Sequence, residues 1–198
     1  MPKLAANLSL LFSEEDFLDR FDVAATYGFK GVEFLFPYEH PAEAIRHALN
    51  ENRLEQALFN MPPGNWLAGD RGTGAIPGRE SEFLSSLELA LDYAGILNCS
   101  QIHVMAGIVE DETARREARA TFVENLKRAA PLAAKRDVHL LIEPINNKRD
   151  VPGYFLNYVA DARAIINEVK SEHVQLQFDL YHVQIMNGDL ETLIHKNT

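Results

Sequence analysis

The chain of 198 residues has one cysteine, Cys99, so no disulfide can form within it and a reducing compartment, the cytosol, is expected. It is short of basic residues, with 19 Lys and Arg against 29 Asp and Glu and a formal net charge of −10. Binding duplex nucleic acid depends on clustered lysine and arginine, so this balance argues against nucleic acid as a partner. No apolar run approaches the roughly 18 residues that span a bilayer, and Met1 to Asn7 carry no signal-peptide stretch, so no membrane partner is expected. Internal repeats, low-complexity segments and linkers are absent as well. Residues 1–198 therefore read as one domain, and with 46% hydrophobic residues the chain can bury a sizeable core.

Short apolar runs alternate with longer amphipathic ones, a rhythm that predicts an α/β fold with a parallel sheet. Leu4–Asn7, Phe29–Phe36, Leu54–Phe59 and Gln101–Met105 read as the first four strands; strands five and six end in Glu143 and Asp179. The first helix is expected to start at Ser13-Glu14-Glu15-Asp16, a capping-box pattern, and to end at Gly28. Asp189 is expected to cap a sixth helix. About six strand–helix units result, whereas a closed (β/α)8 TIM barrel has eight in roughly 250 residues. A doubly wound open sheet would place a glycine-rich phosphate loop after strand one, but Asn7 to Phe12 holds no glycine. The expected fold is thus of the (β/α)8 TIM-barrel type, with about six of the eight units in this chain.

Leu140-Leu141-Ile142-Glu143 and Val174 to Asp179 are apolar-rich runs that each end in a carboxylate. Acids at the C-terminal ends of parallel strands emerge where βα loops build active sites. Two of them one unit apart, trailed by His182, form a candidate set of hard-metal ligands. The long loop from Asn60 to Arg79, rich in glycine and proline, follows strand three on the same rim, and its Arg71 and Arg79 offer guanidinium groups suited to a small carboxylate. Glu33, a charge in an apolar strand, needs a partner, and His103 is either a core histidine or a substrate contact.

Ala6-Asn7-Leu8-Ser9, Gly31-Val32-Glu33-Phe34, Pro77-Gly78-Arg79, His103-Val104-Met105-Ala106-Gly107, Glu143-Pro144-Ile145-Asn146 and Gln177-Phe178-Asp179-Leu180-Tyr181-His182 together resemble the hydroxypyruvate isomerases and related 2-oxo-tetronate isomerases. These are xylose-isomerase-like TIM barrels, and the resemblance runs from residue 3 to about 195. It implies isomerisation of a small hydroxy-oxo acid, hydroxypyruvate to tartronate semialdehyde, with Mg²⁺ or Mn²⁺ at the barrel mouth. Glu143 would be metal ligand and catalytic acid/base, Asp179 a second metal ligand, and His182 a substrate-side histidine. The family draws two further ligands, one of them the second acid/base, from strands seven and eight, which this chain does not reach. Weak Mg²⁺ binding is therefore expected, along with aggregation or oligomerisation of the chain through exposed strand edges. The alternatives are 2-oxo-tetronate as substrate or an inactive truncated barrel; an apurinic endonuclease on the same barrel is disfavoured by the net charge.

Overall fold

The computed structural model describes residues 3–197. Six strands lie side by side in chain order, each parallel to its neighbours: β1 (Ala5–Asn7), β2 (Gly31–Phe34), β3 (Glu55–Asn60), β4 (Gln101–His103), β5 (His139–Ile142) and β6 (Val174–Leu176). The connections carry α1 (Arg20–Thr26), α2 (Ala42–Asn52), α3 (Glu80–Leu97), α4 (Arg115–Ala134) and α5 (Val159–Val169), with α6 (Leu180–Met186) and α7 (Leu190–Asn197) after β6. Among the described residues β1 and β6 do not pair, so the sheet is an open arc of six strands.

Alternation along each strand sorts side chains to two faces. Val32, Phe34, Phe59, Ile102, Leu140 and Ile142 are buried. They belong to one continuous core cluster with the inner stripes of the helices, such as Ile45 and Leu49 of α2 and Phe83, Leu87 and Leu91 of α3. The opposite parity faces the concave side of the arc. Lateral partners share a face, and the register runs Asn7 to Glu33, Glu33 to Leu58, His103 to both Asn60 and Leu141, and Leu141 to Gln175. Counting two residues on from Leu58, Leu141 and Gln175 brings Asn60, Glu143 and Gln177 to the same face. The concave face thus carries a polar row at the C-terminal ends of its strands.

Two helices differ from the sequence-based expectation. The first begins at Arg20, not at residues 13–16. The amides of Leu10 and Leu11 turn back onto the Asn7 carbonyl, Phe12 adopts a left-handed φ of 62°, and Arg20 Nη1 donates to the Leu8 carbonyl at 2.8 Å. These turns consume the segment that the capping box was expected to start. After β6 there are two helices where one was expected: Asp179 caps the first, α6, accepting the His182 amide at 3.0 Å, and Asp189, at φ 46°, precedes the second.

Candidate active site at the strand ends

Glu143 stands just past the end of β5, 6% exposed, in the middle of the polar row. His103 Nδ1 lies 3.6 Å from its Oε2, and the Gln177 side chain hydrogen-bonds it from the other side. His103 is held by Asn60: its Nδ1 is 3.2 Å from Asn60 Oδ1, while the Asn60 carbonyl accepts the Tyr38 hydroxyl at 2.7 Å. Burial pushes the Glu143 carboxyl up to about 8, and the negative charges of Asp179 and Glu33 push the same way against the Gln177 hydrogen bond. Burial likewise raises Glu33, although the Asn7 amide donates to it at 2.9 Å. His103 is 2% exposed, and burial drives its pKa down to about 3, so the ring is neutral.

Asp179 and His182 come from the end of β6 and the first turn of α6. Glu143, Asp179 and His182 each offer one ligand atom, all within 4.8 Å of one another. The chain folds this way because Asp179 is the N-cap of α6: the cap ties Asp179 to the His182 amide and sets the imidazole three residues on. Asn146, in the loop after β5, contacts His182 Nδ1 at 2.8 Å and the Asp150 carboxylate; Tyr181 donates to Asp150 at 3.3 Å.

The two loop arginines stand apart from this cluster. Arg79 makes a bidentate pair with Asp70 at 2.8 Å for each oxygen and two further bonds of 2.7 Å to Glu82. Arg71 lies 3.6 Å above the Trp66 ring and donates to the Trp66 and Asp70 carbonyls. Neither forms a hydrogen bond or ion pair with Glu143, Asp179 or His182. The loop holding them has an exposed tip with a 3₁₀ turn at Trp66–Ala68, where Leu67 is 98% exposed, and an anchored second half. Gly72 anchors it by a backbone bridge to Ala106; at φ +109°, a Cβ there would run into the Met105 carbonyl oxygen, so only glycine fits.

The family model described as xylose isomerase-like TIM barrel matches residues 21–197. The chain is a member of the xylose isomerase-like TIM barrels. It is 53% identical to the 2-oxo-tetronate isomerase of Cupriavidus necator over 190 residues, covering 96% of this chain and 73% of that one. Against the hydroxypyruvate isomerase of Escherichia coli identity is 44% over 190 residues, with the same coverage. Among solved structures, one described as an AP endonuclease, family 2, from Brucella melitensis superimposes with a TM-score of 0.96 at 47% identity, covering 99% of this chain and 75% of that one.

In this xylose isomerase-like barrel the donor set suits a hard divalent cation. Three carboxylates, Glu33, Glu143 and Asp179, repel one another across one mouth, and a cation would relieve that repulsion. Gln177 Oε1 and His103 Nε2 are buried without a hydrogen-bond partner, which marks the row as polar beyond what the fold itself satisfies. Sequence reasoning named Glu143, Asp179 and His182 but missed Asn60, Gln177 and Asn146 as site residues. Strand parity with Glu143 was the signal for the first two; Asn146 carried none beyond its place after Glu143.

Proposed function

We propose that the chain isomerises small hydroxy-oxo acids, hydroxypyruvate to tartronate semialdehyde or the four-carbon 2-oxo-tetronate, by proton transfer between adjacent carbons. The convergence of Glu143 and Asp179 with His182 at the ends of β5 and β6 carries this reading. Glu143 takes the proton from the hydroxyl-bearing carbon and returns it to the neighbouring carbon, while the hydroxyl proton passes to the former carbonyl oxygen. A positioned acid/base of this kind contributes about 10²–10⁴ in rate. Gln177 holds the carboxylate by a side-chain hydrogen bond, and the neutral His103 ring flanks it on the other side. Glu143 and Asp179 would hold the divalent cation, Mg²⁺ or Mn²⁺, which when bound polarises the two substrate oxygens.

The loop after β3 faces the same rim. Arg79 is spent on Asp70 and Glu82, so its part is to close the neck of the loop. Arg71 is left as the loop's charge for the substrate carboxylate. A cytosolic setting belongs to this reading, because Cys99 is buried and free. So does association with a second copy through the open sheet edges; a monomer by light scattering would remove that part.

The test is turnover of both acids by the purified chain, with and without Mg²⁺ or Mn²⁺, beside Glu143→Gln. Metal-dependent turnover lost in the variant supports the reading. The higher identity to a 2-oxo-tetronate isomerase makes the four-carbon acid the first substrate to assay. No turnover of either acid would sink the reading and leave an inactive barrel.

A further inference from the structure

The side-chain amide of Asn146 lies between His182 and Asp150. Its side-chain oxygen accepts the backbone N–H of Arg149 at 3.0 Å and of Asp150 at 3.3 Å, and an N–H can only face an oxygen there. Its amide nitrogen meets the Asp150 carboxylate, which can only accept. These three contacts fix the amide's orientation without reference to the histidine. The second hydrogen of the same amide nitrogen is left for His182 Nδ1 at 2.8 Å. A donor at that distance requires a bare Nδ1, so the proton of the neutral ring sits on Nε2. Asp150 Oδ2 is 3.7 Å from Nδ1, beyond hydrogen-bond reach, and the amide bridges the two groups.

We propose that Asn146 is a positioning residue that locks His182 as the Nε2–H tautomer, so that the imidazole meets a ligand as a hydrogen-bond donor and not as a cation ligand. Of the three groups gathered within 4.8 Å, only the two carboxylates then hold the cation, and the third offers an N–H to an oxygen. Carbonyl and developing alkoxide oxygens of a hydroxy-oxo acid are the acceptors this N–H suits. That use rests on the isomerase reading; the tautomer rests on the hydrogen bonds alone.

Two-bond ¹H–¹⁵N correlation spectra of the metal-free, ¹⁵N-histidine-labelled chain near neutral pH test it, with His182 identified by the signals lost in His182→Leu. The expected pattern is a bare Nδ1 and a protonated Nε2. Asn146→Asp, which puts an acceptor opposite Nδ1, moves a proton onto Nδ1. A protonated Nδ1 in the unmodified chain, in either a singly or a doubly protonated ring, would overturn the proposal. If Asn146→Asp does not fold, Mn²⁺ binding followed by electron paramagnetic resonance provides the second measurement. His182→Leu keeps the Mn²⁺ affinity of the unmodified chain, while Glu143→Gln loses at least about tenfold; equal losses in both variants would overturn the proposal. The expected tautomer without turnover of either acid would remove the isomerase reading and leave the tautomer lock standing.

Discussion

Charged side chains crowd together in two places, in the loop between β3 and α3 and at the ends of β5 and β6, and the fold treats them differently. In the loop the carboxylate has a guanidinium: Arg79 spans Asp70 and, at the start of α3, Glu82, and the hydrogen bond from Arg79 holds the Asp70 carboxyl below its usual range. At the strand ends three carboxylates share one mouth, and the carboxyl at its centre is pushed up, first by burial and then by its neighbours. Charges that the fold neutralises hold the loop in shape. Charges that it leaves opposed cost stability, and a ligand has to relieve them.

The largest test of that contrast is Glu143→Gln. Turnover should fall by about 10²–10⁴ while the metal-free melting temperature stays level or rises, because the substitution removes repulsion and keeps the side chain's shape. A melting temperature that dropped with activity would place Glu143 among the structural charges. Next, Arg71→Gln should raise KM about tenfold with kcat little changed, the loss of one charge-assisted contact to a substrate carboxylate; an unchanged KM would assign Arg71 to Trp66 alone. Arg79→Ala should act in the opposite sense, lowering the melting temperature by about 2–4 °C, since a partly exposed ion pair is worth up to about 1 kcal/mol. Its effect on kcat should be small.

The smallest effect is one of pH. Because the folded Asp70 carboxyl lies below its unfolded value, its contribution is present above the unfolded pKa, about 3.9, and is lost as pH falls through the folded one. Urea midpoints measured down through that acidic window should fall less steeply in Arg79→Ala. Parallel slopes would show that the pair contributes nothing to stability.

Much of this was legible in the sequence. Apolar runs located all six strands, because strands buried against helices must be apolar on at least one face, and the strand-end acids stood out against that background. The start of α1 was misplaced because a capping box describes a local preference, whereas here Arg20 and the Asn7 carbonyl organise the preceding turns through contacts from outside it. The helix α6 was readable in principle, from Asp179 as cap with Val183 and Met186 buried three residues apart, but Asp179 had already been read as a ligand. Arg79 looked like a substrate contact because sequence shows a charge and not its partner. Asp70, nine residues earlier, is that partner. Asn146 lay inside a quoted motif, yet its role depends on which way an amide faces, and no pattern of residue types encodes that.

The Gly72–Ala106 bridge is one stitch in a longer seam. Ile108 bridges Tyr154, the Tyr154 hydroxyl accepts the Ala106 amide at 2.9 Å, and Phe155 donates to the Gly107 carbonyl at 2.9 Å. The loops after β3, β4 and β5 are thereby sewn to each other above the sheet, and the tip at residues 65–70 hangs outside the seam. Doubling the length of a flexible loop costs only about 0.6 kcal/mol. Insertions or exchanges at Leu67 and Ala68, which leave the Asp70–Arg79 pair intact, should therefore be tolerated while the carboxylates below keep their places, which makes this point of the tip the natural place for evolution, or a library, to retune what the mouth admits.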